Sequence, residues 1–133
     1  MSIESVIDAT RAGLSYERLR MDAASRNIAA ANMPIAPDAM ATEAQVVGGS
    51  DDFAAQLEGD AGFEIRQSPV ATRTVQDPAS PFADAHGMVH YPAIDMVQEV
   101  TTLLTASRGY EANVRAFNLL RAMAMKANEI GSR

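Results

Sequence analysis

The sequence predicts a mainly α chain: long N- and C-terminal helices pairing as an antiparallel coiled-coil hairpin, with a small irregular, β-containing segment between them. Three observations predict it. Apolar residues recur at heptad spacing through the last third of the chain. A thinner seam of the same period runs through the first third, where no proline appears before Pro34. Aromatic residues make up only 5% of the 133 residues and tryptophan is absent, which fits shared Ala, Leu and Met seams better than a large globular core.

The first segment, residues 1–33, reads as one helix from about Ile3 to Ala31. Ile7, Leu14, Met21 and Ile28 stand seven residues apart, with Ala24 and Ala31 three further on. Thr10 and Glu17 interrupt that second row. Ala, Arg, Leu and Met dominate, all good helix formers. Gly13 is an exception, as is Gly109 in the last helix. Each costs about 1 kcal/mol against alanine. Such a glycine marks either close approach by a neighbouring backbone or a tolerated defect, and the sequence leaves both open.

Pro34 and Pro37 end the helix and open a middle segment, residues 34–92. Glu43–Val47 is a strand expectation and Asp52–Leu57 a helical turn. Phe63–Gln67 and Val70–Val75 alternate as two short strands, with Ser68-Pro69 as a turn or an edge. Asp77-Pro78 and Ser80-Pro81 mark a loop. Gly87–Tyr91 is a further extended stretch, stopped by Pro92.

Residues 93–133 form the last helix. Asp95 is a good N-cap, with Gln98 at the N3 position of a capping box. Met96, Leu103, Tyr110, Phe117 and Ala124 occupy d positions; Val100, Ser107, Val114 and Arg121 occupy a positions. About 35 residues of helix run roughly 50 Å, and such a rod needs an equally long partner. Because the two seams belong to one chain and are separated by some 60 residues, the chain must reverse between them. Polar Ser107 and Arg121 in an a row either fix register and partner number or mark an exposed edge.

Composition narrows the function. A formal charge of −6 disfavours nucleic acid, which needs a basic footprint. Without cysteine, disulfide scaffolds and thiolate chemistry are excluded. No stretch approaches the roughly 20 apolar residues of a membrane span. The start, MSIESVIDATRAG, carries acids where a basic signal-peptide region belongs, so no cleaved leader is expected. His86 and His90, near Asp84, have i,i+4 spacing, but Gly87 and Pro92 argue against a helix there and for a solvated loop rather than a metal site. Gly48-Gly49 lacks the lysine and setting of a phosphate loop. With no nucleophile-and-base pattern, neither an enzyme nor a cofactor is expected.

The motifs combine into a resemblance. The run from Tyr91-Pro92 to Val100, followed by Ala106-Ser107-Arg108-Gly109-Tyr110-Glu111-Ala112-Asn113-Val114, resembles the C-terminal signature of flagellar axial proteins, YPNVN-x-x-x-EM and then ASRSYEANV. Asp77-Pro78 through Gly87-Met88-Val89 is similar to the family's DP…G-x-V stretch. Asn27-Ile28-Ala29-Ala30-Ala31-Asn32-Met33-Pro34 resembles its NIANANTPGY, with Ile35-Ala36 in place of Gly-Tyr. The family motif thus falls on Asn27, Asn32, Pro34, Ser107, Arg108, Glu111 and Asn113.

The resemblance to the flagellar basal-body rod family implies a structural subunit of the proximal rod. It implies export by the flagellar type III apparatus without signal-peptide cleavage, and a place in the periplasmic rod of the basal body. The implied partners are other rod proteins, copies of itself, a rod-base adaptor, the MS-ring and the export apparatus. Assembly would run through the terminal helices, with Ile7, Leu14, Met21, Ile28, Met96, Val100, Leu103, Tyr110, Val114 and Phe117 as the seam. The alternative is a soluble coiled-coil adaptor outside the axial structure.

Overall fold

The computed structural model describes residues 3–48 and 62–131. Helix α1 spans Ile3–Ala30 and helix α2 spans Met96–Gly131. Between them, among the described residues, lie four strands: β1 (Thr42–Val47), β2 (Glu64–Pro69), β3 (Thr72–Gln76) and β4 (Met88–Pro92). The expected turn at Asp52–Leu57 lies outside the described residues. Among its described residues the middle contains two antiparallel two-stranded sheets, β1 with β2 and β3 with β4.

Helix α1 forms where alanine-rich sequence meets no proline, and a bidentate Asp22–Arg26 pair supports its last turns (3.0 and 2.9 Å). It ends as the Met33 amide folds back to the Ala30 carbonyl ahead of Pro34. Ile35 then donates its amide to the His90 carbonyl (2.9 Å), so the segment that replaces the family's Gly-Tyr runs as a short bridge along β4.

Of a turn and an edge, Ser68-Pro69 is the edge, lying in a two-stranded sheet. Both residues finish β2, opposite Glu43 and Thr42. Two hydrogen bonds show how the sheets join. The Val70 amide donates to the Ala41 carbonyl (3.0 Å), while the Ala93 amide donates to the Ala71 carbonyl (2.8 Å). Adjacent residues of an extended chain turn their peptide groups to opposite edges. The ribbon from Glu64 to Gln76 therefore carries β1 along one edge of its first half and β4 along the other edge of its second half.

The β3–β4 connection is tightened by Gly87. Its φ of +76° is the left-handed conformation, and a Cβ there would lie 3.1 Å from Cγ of Pro78. That is the physical content of the Asp-Pro…Gly spacing seen in the sequence.

Helix α2 starts as its cap predicts. Asp95 Oδ1 accepts from the amides of Val97 (3.0 Å) and Gln98 (3.2 Å). The helices lie side by side. Gly13 abuts the Asn113 side chain and Gly109 abuts Glu17, so position advances along α1 as it recedes along α2. Ala106 is fully buried on α2, and Ala23 and Ala24 are buried on α1; side chains this small let packed backbones approach closely. Val89 is the one large side chain fully buried among the described residues.

The phasing of the α2 stripe needs correction. Val100 and Arg121 of the expected a row are exposed, as is Met96 of the d row. Ser107 and Val114 of the a row are half-buried, and Glu99, Ala106, Asn113 and Leu120, one residue earlier, are covered beside them. Leu103, Tyr110, Phe117 and Ala124 keep their places, half-buried. Heptad counting favours large apolar residues, and so passed over an alanine and an asparagine chosen for close approach.

Candidate functional site

The long surface of the two helices is the candidate site, and three polar devices set its shape. The first is Asn27, a buried polar side chain. Its Nδ2 donates to the Ala44 carbonyl (2.9 Å) and its Oδ1 accepts from the Ala44 amide (2.6 Å). The primary amide thus acts as one more peptide unit along the outer edge of β1. It satisfies both Ala44 groups, which point away from β2, and pins the first sheet to α1.

The second device is Arg73 on β3. Its Nη2 donates to the Ala31 carbonyl at the end of α1 (3.1 Å) and reaches Asn32 Oδ1 (3.4 Å). Its guanidinium lies 4.6 Å from the centroid of the Tyr91 ring. A cation on the last carbonyls of a helix also suits the negative end of its dipole. Arg73 ties the second sheet to the same end of α1, a role that nothing in the spacing of the sequence signalled.

The third is Asp84. Its Oδ1 accepts from the amides of His86 (2.8 Å) and Met88 (3.0 Å), and its Oδ2 meets His90 Nε2 (2.9 Å). The Met88 amide, then His90, then the His86 amide hold the Asp84 carboxyl down to about 2. His86 itself is exposed. This residue trio shapes a turn, and among the described residues no group of three metal-ligating side chains gathers. Because the folded pKa lies below the ordinary carboxylate value near 3.9, Asp84 stabilises the turn above about pH 4. That contribution is lost as pH falls toward about 2. An acid titration followed by NMR should show the β3–β4 amides shifting in that window, and Asp84→Asn should flatten the transition.

Along the helices, Ile7, Leu14, Met21 and Ile28 are half-buried, as are Leu103, Tyr110, Val114 and Phe117, whereas Met96 and Val100 are exposed. Of the motif residues, Asn27 is buried, Pro34, Ser107 and Asn113 are half-buried, and Asn32, Arg108 and Glu111 are exposed. Sequence reasoning missed Ala106, Arg73 and Asp84 as organising residues. The Ala106–Gly109–Asn113 spacing, small or short at i, i+3 and i+7, was the signal available for the first.

Apolar surface remains outside the contact between the helices. Val97, Leu104, Leu119, Met123, Met125 and Ile130 of α2 are all more than half exposed. By the Gly13–Asn113 spacing, Ile3 falls opposite about Met123, so the last turns of α2 project past the start of α1. No described helix is long and apolar enough to cross a membrane. Small monomers seldom leave such a strip uncovered.

Two long terminal helices around a small strand-bearing middle define an axial type of protein, and the comparisons agree. The family model for the C-terminal part of flagellar basal-body rod FlgEFG proteins matches residues 85–130. The flagellar basal-body rod protein FlgC of Salmonella typhimurium is 30% identical, over 98% of this chain and 99% of its own length. FlgC of Bacillus subtilis is 31% identical over 94% of this chain and 95% of its own. FlgC of Aquifex aeolicus is 43% identical over a shorter stretch, 44% of this chain and 42% of its own. The chain belongs to the FlgC family of flagellar basal-body rod proteins. That full-length likeness sets aside an adaptor outside the axial structure.

Proposed function

We propose that the chain is a non-enzymatic building block of the proximal rod. It assembles through an antiparallel coiled-coil hairpin of its terminal helices, after type III export without cleavage, and works in the periplasmic part of the basal body. Its partners are other rod proteins, further copies, a rod-base adaptor and the MS-ring. The seam residues Ile7, Leu14, Met21, Ile28, Leu103, Tyr110, Val114 and Phe117 hold the hairpin, and Met96 and Val100 join the outward strip. The observation that carries this reading is the apolar strip on α2 that α1 does not cover. Heterologous contacts that do not close generate a filament, and a strip of this length suits one.

Leu119 and Met123 test it, being 63% and 58% exposed. Leu119→Asp with Met123→Asp should leave the stability of the isolated chain within about 0.5 kcal/mol. In cells the variant should be synthesised but absent from isolated basal bodies, with swimming lost. Arg66→Ala, a change at an exposed ion pair, is the matched control and should swim. Normal rods built from the double variant would end the proposal.

A further inference from the structure

One row of the α1 seam is strictly periodic, and that creates an ambiguity. Ile7, Leu14, Met21 and Ile28 present the same face every seven residues, so sliding α1 by one heptad along α2 would again match apolar to apolar. A unique pairing needs something aperiodic. Gly13 is the only glycine of α1, and Gly109 the only one in the interior of α2.

The two glycines are used reciprocally. A Cβ on Gly109 would lie 2.8 Å from Glu17 Oε1 and 2.9 Å from its Cδ. A Cβ on Gly13 would lie 3.0 Å from Asn113 Nδ2 and 3.3 Å from its Cγ. Each helix therefore offers a notch and, four residues on, a polar side chain that fills the other's notch. Glu17 is not free to swing away. Its side chain is only 16% exposed, and Arg20 Nη1 holds its Oε2 at 3.0 Å.

We propose that Gly13, Glu17, Gly109 and Asn113 form a two-notch register lock that selects one pairing of the terminal helices from its heptad-equivalent alternatives. A slip of one heptad in one direction sets Glu17 against Ala116 and Asn113 against Arg20. In the other direction Glu17 meets Thr102 and Asn113 meets Val6. Every one of these positions carries a Cβ, so neither slipped pairing has a notch for the half-buried carboxylate or the amide. This is discrimination by exclusion of wrong partners as much as by attraction of the right one. It also resolves the two readings left open for these glycines in favour of close approach. Resting on the rod reading, it gives the lock a purpose: register fixes which turns of α2 project past α1 and are offered to a neighbour.

The test is a size swap in the full chain, which has no native cysteine. Gly109→Val should lower the melting midpoint by about 5 °C or more. Glu17→Ala added to it removes the atoms the new side chain meets, and should restore at least half of that loss. Register is read independently with cysteine pairs and a short thiol crosslinker. Ile7→Cys with Leu120→Cys reports the observed pairing; Leu14→Cys with Leu120→Cys reports a slip of one heptad, roughly 10 Å. The first pair should crosslink in the parent background, the second should appear with Gly109→Val, and the added Glu17→Ala should return the first. Additive midpoints together with one crosslink pattern in all backgrounds would overturn the lock. Altered crosslinks with unimpaired swimming would keep the lock and overturn the rod reading.

Discussion

Replacing Asn27 with alanine is expected to cost about 2–5 kcal/mol, because it leaves two buried peptide groups of Ala44 without partners. The N–H needs an acceptor and the carbonyl needs a donor at fixed spacing on one edge, and a primary amide matches that spacing as another peptide group would. Asn27→Asp should be a graded case: it keeps the acceptor for the Ala44 amide and turns a second oxygen toward the carbonyl. Urea melts give the magnitude. Hydrogen exchange gives the mechanism, since the Ala44 amide should lose protection before those at the centre of α2. A melt of Asn27→Ala within about 0.5 kcal/mol of the parent would mean that water replaces the side chain without penalty.

Ala106→Leu is expected to cost about 1–3 kcal/mol, although leucine is nearly as good a helix former as alanine. Ala106 has no exposed surface, so there is no direction in which three more carbons fit without parting the helices. The same change at Ala116, an exposed residue of α2, should be close to neutral. In cells the Ala106 variant should be rod-deficient while its protein is still made, as seen by immunoblot and swimming assay. If both variants behaved alike, the buried face of α2 would have been misassigned.

Much of the fold was legible because its signals are local. The N-cap at Asp95, the proline boundaries at Pro34 and Pro92, and the glycine at 87 each act within a few residues, and the sequence displays them. The stripe on α2 was legible in part: Leu103, Tyr110, Val114 and Phe117 are half-buried, while Met96, Val100 and Arg121 are exposed. Periodicity weighs side-chain size, while the contact between α1 and α2 is set by how near two backbones come, which selects Ala24, Ala106, Gly13 and Gly109. Arg73 was invisible for a different reason. Its partners, Ala31, Asn32 and Tyr91, are distant in sequence from one another, and nothing in an isolated arginine says which carbonyl it will reach. Asn27 stood out only through its motif; its bond to Ala44, seventeen residues on, needed coordinates.

Both sheets are fastened toward one end of α1. Asn27 grips β1, Arg73 reaches Ala31, and Tyr16 packs on Phe63, the rings tilted with centroids 4.9 Å apart, no nearer the start of the helix than its middle. Among the described residues the shaft is thus broad at one end and carries helix alone at the other, like a nail. An object of that shape has a direction. Copies set side by side in parallel would all point the same way, and what they built would have two chemically different ends: one carrying strands, the other, among the described residues, helix alone. Growth and anchoring can then be separate events at separate ends, with the subunit's own outline telling one from the other.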